Sequence, residues 1–119
     1  MSAEQIGDLS ERRRQHKENL ERAVDLLVNR LSRDPRVQRI ILFGSYVRGR
    51  ADLLTDIDAV VIMNTELPFL ERLRWLYESL SLPVDADIVC YTPEEWEANK
   101  DKPFFRTVRK AGRVVYERR

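Results

Sequence analysis

Apolar residues recur at steps of three and four in some stretches of the chain and form short continuous runs in others, and this contrast separates helices from strands. Leu20, Val24, Leu27 and Leu31 mark one face of a helix that Ser10 can cap, with residues 1–9 ahead of it read as a flexible segment. Asp34-Pro35 should end the helix, because the residue before a proline is driven away from helical angles. Val37 to Phe43 then reads as a strand buried on both faces and closed by Gly44, and Ile57 to Met63 reads as a second. The connection Ser45 to Thr55 is too long for a tight hairpin but holds a helical turn and a loop.

After Pro68, the residues Leu70, Leu73, Tyr77 and Leu80 give an amphipathic helix, and Pro83 separates it from a third strand at about Asp85 to Tyr91. Thr92-Pro93-Glu94-Glu95 spells a helix start, with threonine as cap, proline as first helical residue and Glu95 as the capping-box acid. A further helix over Pro103 to Ala111 should stop at Gly112 in a left-handed turn, before a last strand from Arg113 to Glu117. The class is α/β (α+β), one sheet flanked by helices, and no repeat or linker divides residues 1–119, so one domain is expected.

Composition narrows the chemistry. Lys and Arg total 21 against 20 for Asp and Glu, a net charge of +1 that supplies no overall pull toward nucleic acid or an anionic membrane. Cys90 is the only cysteine, which excludes an intrachain disulfide or a thiolate zinc cluster, and it reads as a small buried hydrophobe. His16, the only histidine, reads as a solvated helix residue, and Arg12-Arg13-Arg14, set among glutamates without aromatic residues, as a solvated face. The polar start and the lack of a long apolar run lead us to expect a cytoplasmic protein that engages no membrane.

The informative segment is Gly44-Ser45, ten residues, then Asp56-Ile57-Asp58. Residues two apart in a strand share a face, so Asp56 and Asp58 should project together and repel unless a cation lies between them. Magnesium, which takes carboxylate and phosphate oxygens, suits such a pair. Gly44 and Ser45 offer close backbone approach and amide groups to a phosphate chain, and Arg48 and Arg50 add positive charge. Gly44 and Gly49 have the spacing of a P-loop, but Arg50-Ala51 stands where that loop needs lysine and a hydroxyl, so that reading fails. Asp85 and Asp87 share a face of the third strand. Asp87 is the preferred third carboxylate because it lies further inside the apolar run, with an ion pair to Arg39 or Arg106 as its competing explanation.

Gly44-Ser45-Tyr46-Val47-Arg48-Gly49, with Thr55-Asp56-Ile57-Asp58, resembles the central motif of the minimal nucleotidyltransferases of the polymerase-β-like superfamily, many of which accompany HEPN-domain proteins. Asp87 to Glu95 resembles the segment holding that family's third carboxylate, and the similarity spans about residues 17 to 117. It implies a mixed-sheet nucleotidyltransferase fold and two magnesium ions at Asp56, Asp58 and Asp87. It further implies triphosphate binding at Gly44, Ser45 and Arg48, and transfer of a nucleoside monophosphate, AMP from ATP by family precedent, to a hydroxyl. Threonine replaces the family's usual serine at position 55. Larger members carry an acceptor-holding domain that this sequence does not display, so the acceptor is expected on another molecule, a HEPN partner by resemblance. A homodimer, a non-catalytic antitoxin that neutralises its partner by contact, and an RNA-binding accessory domain are the other expectations.

Overall fold

The computed structural model describes the backbone of residues 3–119 and side chains from residue 7 onward. In chain order the elements are α1 (Ala3–Leu31), β1 (Val37–Phe43), β2 (Ile57–Met63), α2 (Phe69–Ser79), β3 (Ala86–Tyr91), α3 (Pro93–Ala98), α4 (Pro103–Ala111) and β4 (Arg113–Glu117). α1 begins before Ser10, so that serine lies inside the helix rather than capping it. Part of the segment read as flexible is helical, and residues 1–2 of it lie outside the described residues. Side-chain pairs three and four apart, among them Arg12 with Asp8 and Arg14 with both Glu11 and Glu18, support this extension on the helix surface.

The four strands form one sheet in the order β3-β2-β1-β4. β1 runs antiparallel to both β2 and β4, whereas β2 and β3 are parallel, so the sheet is mixed. A parallel pair needs a crossover connection, and α2 supplies it.

Alternation along the strands sorts the core onto two faces. Ile57, Ala59, Val61 and Met63 of β2 join Leu20, Ala23, Leu27 and Leu31 of α1 and Leu76 of α2 on one face. Val60 and Ile62 turn the other way, with Ile41 of β1, and meet Trp96 of α3 and Phe105 and Val108 of α4. Cys90 is buried in the first of these clusters as expected, where desolvation pushes its thiol up to about 11.

Two further elements differ from their sequence reading in instructive ways. On α2 the inward residues are Leu76 and Arg72, while Leu70 and Tyr77 are exposed. An arginine takes the core position because its Nε and Nη1 both find acceptors. Arg72 Nε donates to the Leu67 carbonyl at 2.7 Å, and Nη1 donates to Glu95 Oε1 at 2.6 Å and to the Cys90 carbonyl at 3.5 Å. Gly112 ends α4 at φ −73, ψ 160, in extended rather than left-handed backbone. Its glycine is required by close approach to β1, since a Cβ there would lie 2.7 Å from Ile41 Cγ2 and 3.1 Å from the Leu42 carbonyl oxygen.

The α3 cap is as the sequence spells it. Glu95 N–H donates to Thr92 Oγ1 at 3.1 Å and Thr92 N–H donates to Glu95 Oε1 at 2.8 Å. Glu95 therefore serves both the cap and Arg72. Desolvation pushes its carboxyl up, but the Arg72 hydrogen bond and the Thr92 amide outweigh this and hold it below the ordinary range. Arg72→Ala leaves that acid without its cation and two carbonyls without a donor. Urea unfolding at pH 7 should register a loss of about 2 kcal/mol, and a loss under about 1 kcal/mol would assign the pair no more weight than a surface contact.

Candidate active site

Strand register determines which acids meet. In the antiparallel β1–β2 ladder Phe43 stands opposite Asp58, and in the parallel β2–β3 ladder Asp58 stands opposite Asp87. Asp58 shares a face with Val60 and Ile62, and Asp87 shares one with Val89 and Tyr91, which pack against the α3–α4 cluster. Both carboxylates therefore lie on the α3–α4 side of the sheet, at the end where β1 finishes and β2 and β3 begin. Asp56 immediately precedes β2. Asp85 falls just outside β3, and its carbonyl accepts from the Ile57 N–H at 3.2 Å.

Gly44 follows β1 at φ 81, and a Cβ built on it would overlap Asp58 Oδ2 and lie 3.1 Å from Asp58 Cγ. Only glycine tolerates both the angle and the approach. The chain then curls, with Arg48 N–H donating to the Gly44 carbonyl at 3.3 Å and Arg50 N–H to the Ser45 carbonyl at 3.0 Å. In such a curl the first amides, those of Ser45 and Tyr46, have no acceptor within the turn. They lie next to the glycine that touches Asp58.

The electrostatics record the crowding. Desolvation, then the charge of Asp87, then that of Asp56, push the Asp58 carboxyl above its ordinary range, and Arg48 partly opposes them. None of the three acids has an ion-pair partner among the described residues. Arg39 pairs with Glu117 instead of Asp87, and Arg50 pairs with Asp52 at 2.9 Å. Asp87 itself is exposed, so the burial argument that singled it out does not hold. What favours it over Asp85 is its register position beside Asp58.

Three groups to which the sequence gives no role at the site hold this end of the sheet. Asp52 accepts from Leu54 N–H at 2.9 Å and from Thr55 Oγ1 at 3.2 Å, ordering the loop that leads into Asp56. Tyr77 of α2 donates its hydroxyl to the Ala86 carbonyl at 3.3 Å and accepts from Ile88 N–H at 3.1 Å, bridging the two residues that flank Asp87. His16 is half-buried, not solvated, and its Nε2 lies 2.8 Å from the Thr55 carbonyl oxygen. A signal for it was present, since His16 lies four residues before Leu20 on the stripe that continues through Leu27 and Leu31.

Among the described residues no group of three or more His, Cys, Asp or Glu side chains is placed to hold a metal ion by itself. The oxygen donors nonetheless fit a hard cation such as magnesium, which binds through one or two carboxylates and completes its shell with water and substrate phosphate. A groove of about 660 Å³ lined by Arg36, Asn64, Thr65, Glu66, Leu67 and Glu94 opens at the opposite end of β1 and β2.

The profile of the nucleotidyltransferase domain matches residues 24–114. Among solved structures, the toxin–antitoxin MntA–HpeT in a mutant form is similar at 25% identity and TM-score 0.55, over 83% of this chain and 73% of that one. A candidate nucleotidyltransferase from Sulfolobus solfataricus shares the fold at 22% identity and TM-score 0.56, over 85% and 86% of the two chains. A toxin–antitoxin solved with AMP-PNP does so at 24% identity and TM-score 0.53, over 83% and 74%. No curated protein matches the sequence significantly.

A carboxyl whose folded pKa is raised contributes stability below its unfolded value and loses it as pH rises through the folded one. Metal-free Asp58→Asn should therefore melt above the wild type at pH 7, with the difference vanishing as pH falls below about 4. Calorimetric melting across pH 3 to 8 checks this, and a variant less stable at pH 7 would mean that Asp58 is not a repelled charge.

Proposed function

The chain belongs to the nucleotidyltransferase domain family, and from that footing we propose that it moves a nucleoside monophosphate from a triphosphate to a hydroxyl acceptor, with magnesium held at Asp56, Asp58 and Asp87. The observation that carries this reading is the group of three uncompensated carboxylates beside the Gly44 turn. Their mutual repulsion is what a divalent cation would relieve.

In this scheme Asp56 and Asp58 are the principal metal ligands. The amides after Gly44 and the Ser45 hydroxyl seat phosphate oxygens, and Arg48, already within electrostatic reach of Asp58, adds charge for the same purpose. Magnesium, when bound, supplies charge neutralisation across the phosphates and at the attacking oxygen. The acceptor oxygen bonds to the α-phosphorus, the bond from that phosphorus to the β-phosphate oxygen breaks, and pyrophosphate leaves. Asp87 either shares the second ion or takes the acceptor's proton; it lies at the exposed edge of the sheet, where an acceptor can approach.

The acceptor we propose is a hydroxyl on a partner protein, of the HEPN type by the motif resemblance, and the likeness to a toxin–antitoxin at 25% identity supports a protein partner. Adenosine triphosphate is the nucleotide to test first, given the adenine analogue in one structural neighbour. Among the described residues no helix is long and apolar enough to cross a membrane.

Titration calorimetry should find ATP binding that strengthens with magnesium. Asp56→Asn combined with Asp58→Asn should weaken the magnesium-dependent part by more than about tenfold, a loss that even outer-shell changes reach in metal sites. Unchanged binding by the double variant would remove the metal role. Intact-mass spectrometry of the partner after incubation with the protein, magnesium and ATP should read the added mass of AMP, and a stable complex with an unmodified partner would favour neutralisation by contact.

A further inference from the structure

His16 sits on α1, far in sequence from the acids, yet its Nε2 meets the Thr55 carbonyl at 2.8 Å. That carbonyl can only accept, so the ring nitrogen facing it carries the proton and donates. The peptide unit so gripped is the one whose nitrogen belongs to Asp56. On its other side the same residue is tied to Asp52, through Thr55 N–H to the Asp52 carbonyl at 3.1 Å and Thr55 Oγ1 to Asp52 Oδ1 at 3.2 Å. Thr55 is wholly buried, and Asp56 is the first residue beyond it, one position before the β2–β3 ladder begins at Ile57.

Asp56 therefore stands between two anchors, Thr55 on one side and the ladder on the other. A planar peptide carries the orientation of one carbonyl to the next amide nitrogen, so fixing Thr55 O restricts the backbone from which Asp56 projects. Nothing else described on α1 hydrogen-bonds to residues 44–58. The neighbouring polar side chains of the helix pair among themselves, as Gln15 does with Asn19 and Arg14 with Glu18.

We propose that His16 is a positioning residue for Asp56, setting the backbone of the first metal-binding carboxylate from across the sheet's α1 side. The proposal rests on the metal site argued above, and it assigns the sole histidine to orientation rather than to ligation or proton transfer. Glutamine at position 16 retains an N–H donor, whereas alanine removes it.

The test uses the full chain as wild type, His16→Ala, His16→Gln and Asp56→Asn. In metal-free protein, hydrogen exchange of the segment 54–58 should quicken in His16→Ala and stay near wild type in His16→Gln. In calorimetric ATP titrations, the magnesium concentration for half-maximal effect should rise about three- to tenfold in His16→Ala, the scale of one lost hydrogen bond, and recover in His16→Gln. Unchanged exchange in His16→Ala overturns the proposal. So does quickened exchange with an unaltered magnesium requirement while Asp56→Asn still raises it, because the bond would then be structural only. If Asp56→Asn itself has no effect, the metal site has failed and the proposal falls with it.

Discussion

Mutual repulsion among Asp56, Asp58 and Asp87 is the constraint on which the account depends, and strand register enforces it. Asp58 faces Phe43 across one ladder and Asp87 across the other. A one-residue slip of β2 would send Asp58 to the opposite face, among the side chains of α1, so the hydrophobic pattern that fixes the register also fixes the site. Val60 and Ile62 cannot be buried under α3 and α4 without Asp58 emerging on the same face two residues earlier.

The two faces divide the work. α1 and α2 cover one side with aliphatic packing and also send His16 and Tyr77 to grip the backbone around the acids. α3 and α4 cover the other with Trp96, Phe105 and Val108, and Phe104 at the start of α4 stacks edge-on against Phe43 at 5.3 Å. An apolar ledge thus adjoins the turn at Gly44. The acids have no cationic side chain of their own, and the positive charge near them is Arg48 on an exposed turn.

Most of this was legible in the sequence where one local rule governs. The strands Val37–Phe43 and Ile57–Met63 follow from their apolar runs, and the Thr92–Glu95 box follows from capping chemistry. Local pattern failed where a tertiary partner decides. Arg72 is buried because Leu67, Cys90 and Glu95 satisfy it, and no helical periodicity could display those partners. At Gly112 the pattern suggests a left-handed cap, but the glycine's role is to let α4 approach β1. The apolar run suggests a buried Asp87, but the residue is exposed, and the neighbour that recommends it, Asp58, is defined by parallel pairing across a crossover.

The central claim is that these carboxylates form one cation site. The direct measurement is a crystal structure of the protein with manganese and a non-hydrolysable nucleoside triphosphate, read through the metal's anomalous signal. A peak is expected at coordination distance, about 2.1 Å, from oxygens of Asp56 and Asp58, with the phosphates turned toward the amides that follow Gly44. A peak elsewhere with nucleotide bound, for example in the groove by Arg36 and Asn64, would contradict it.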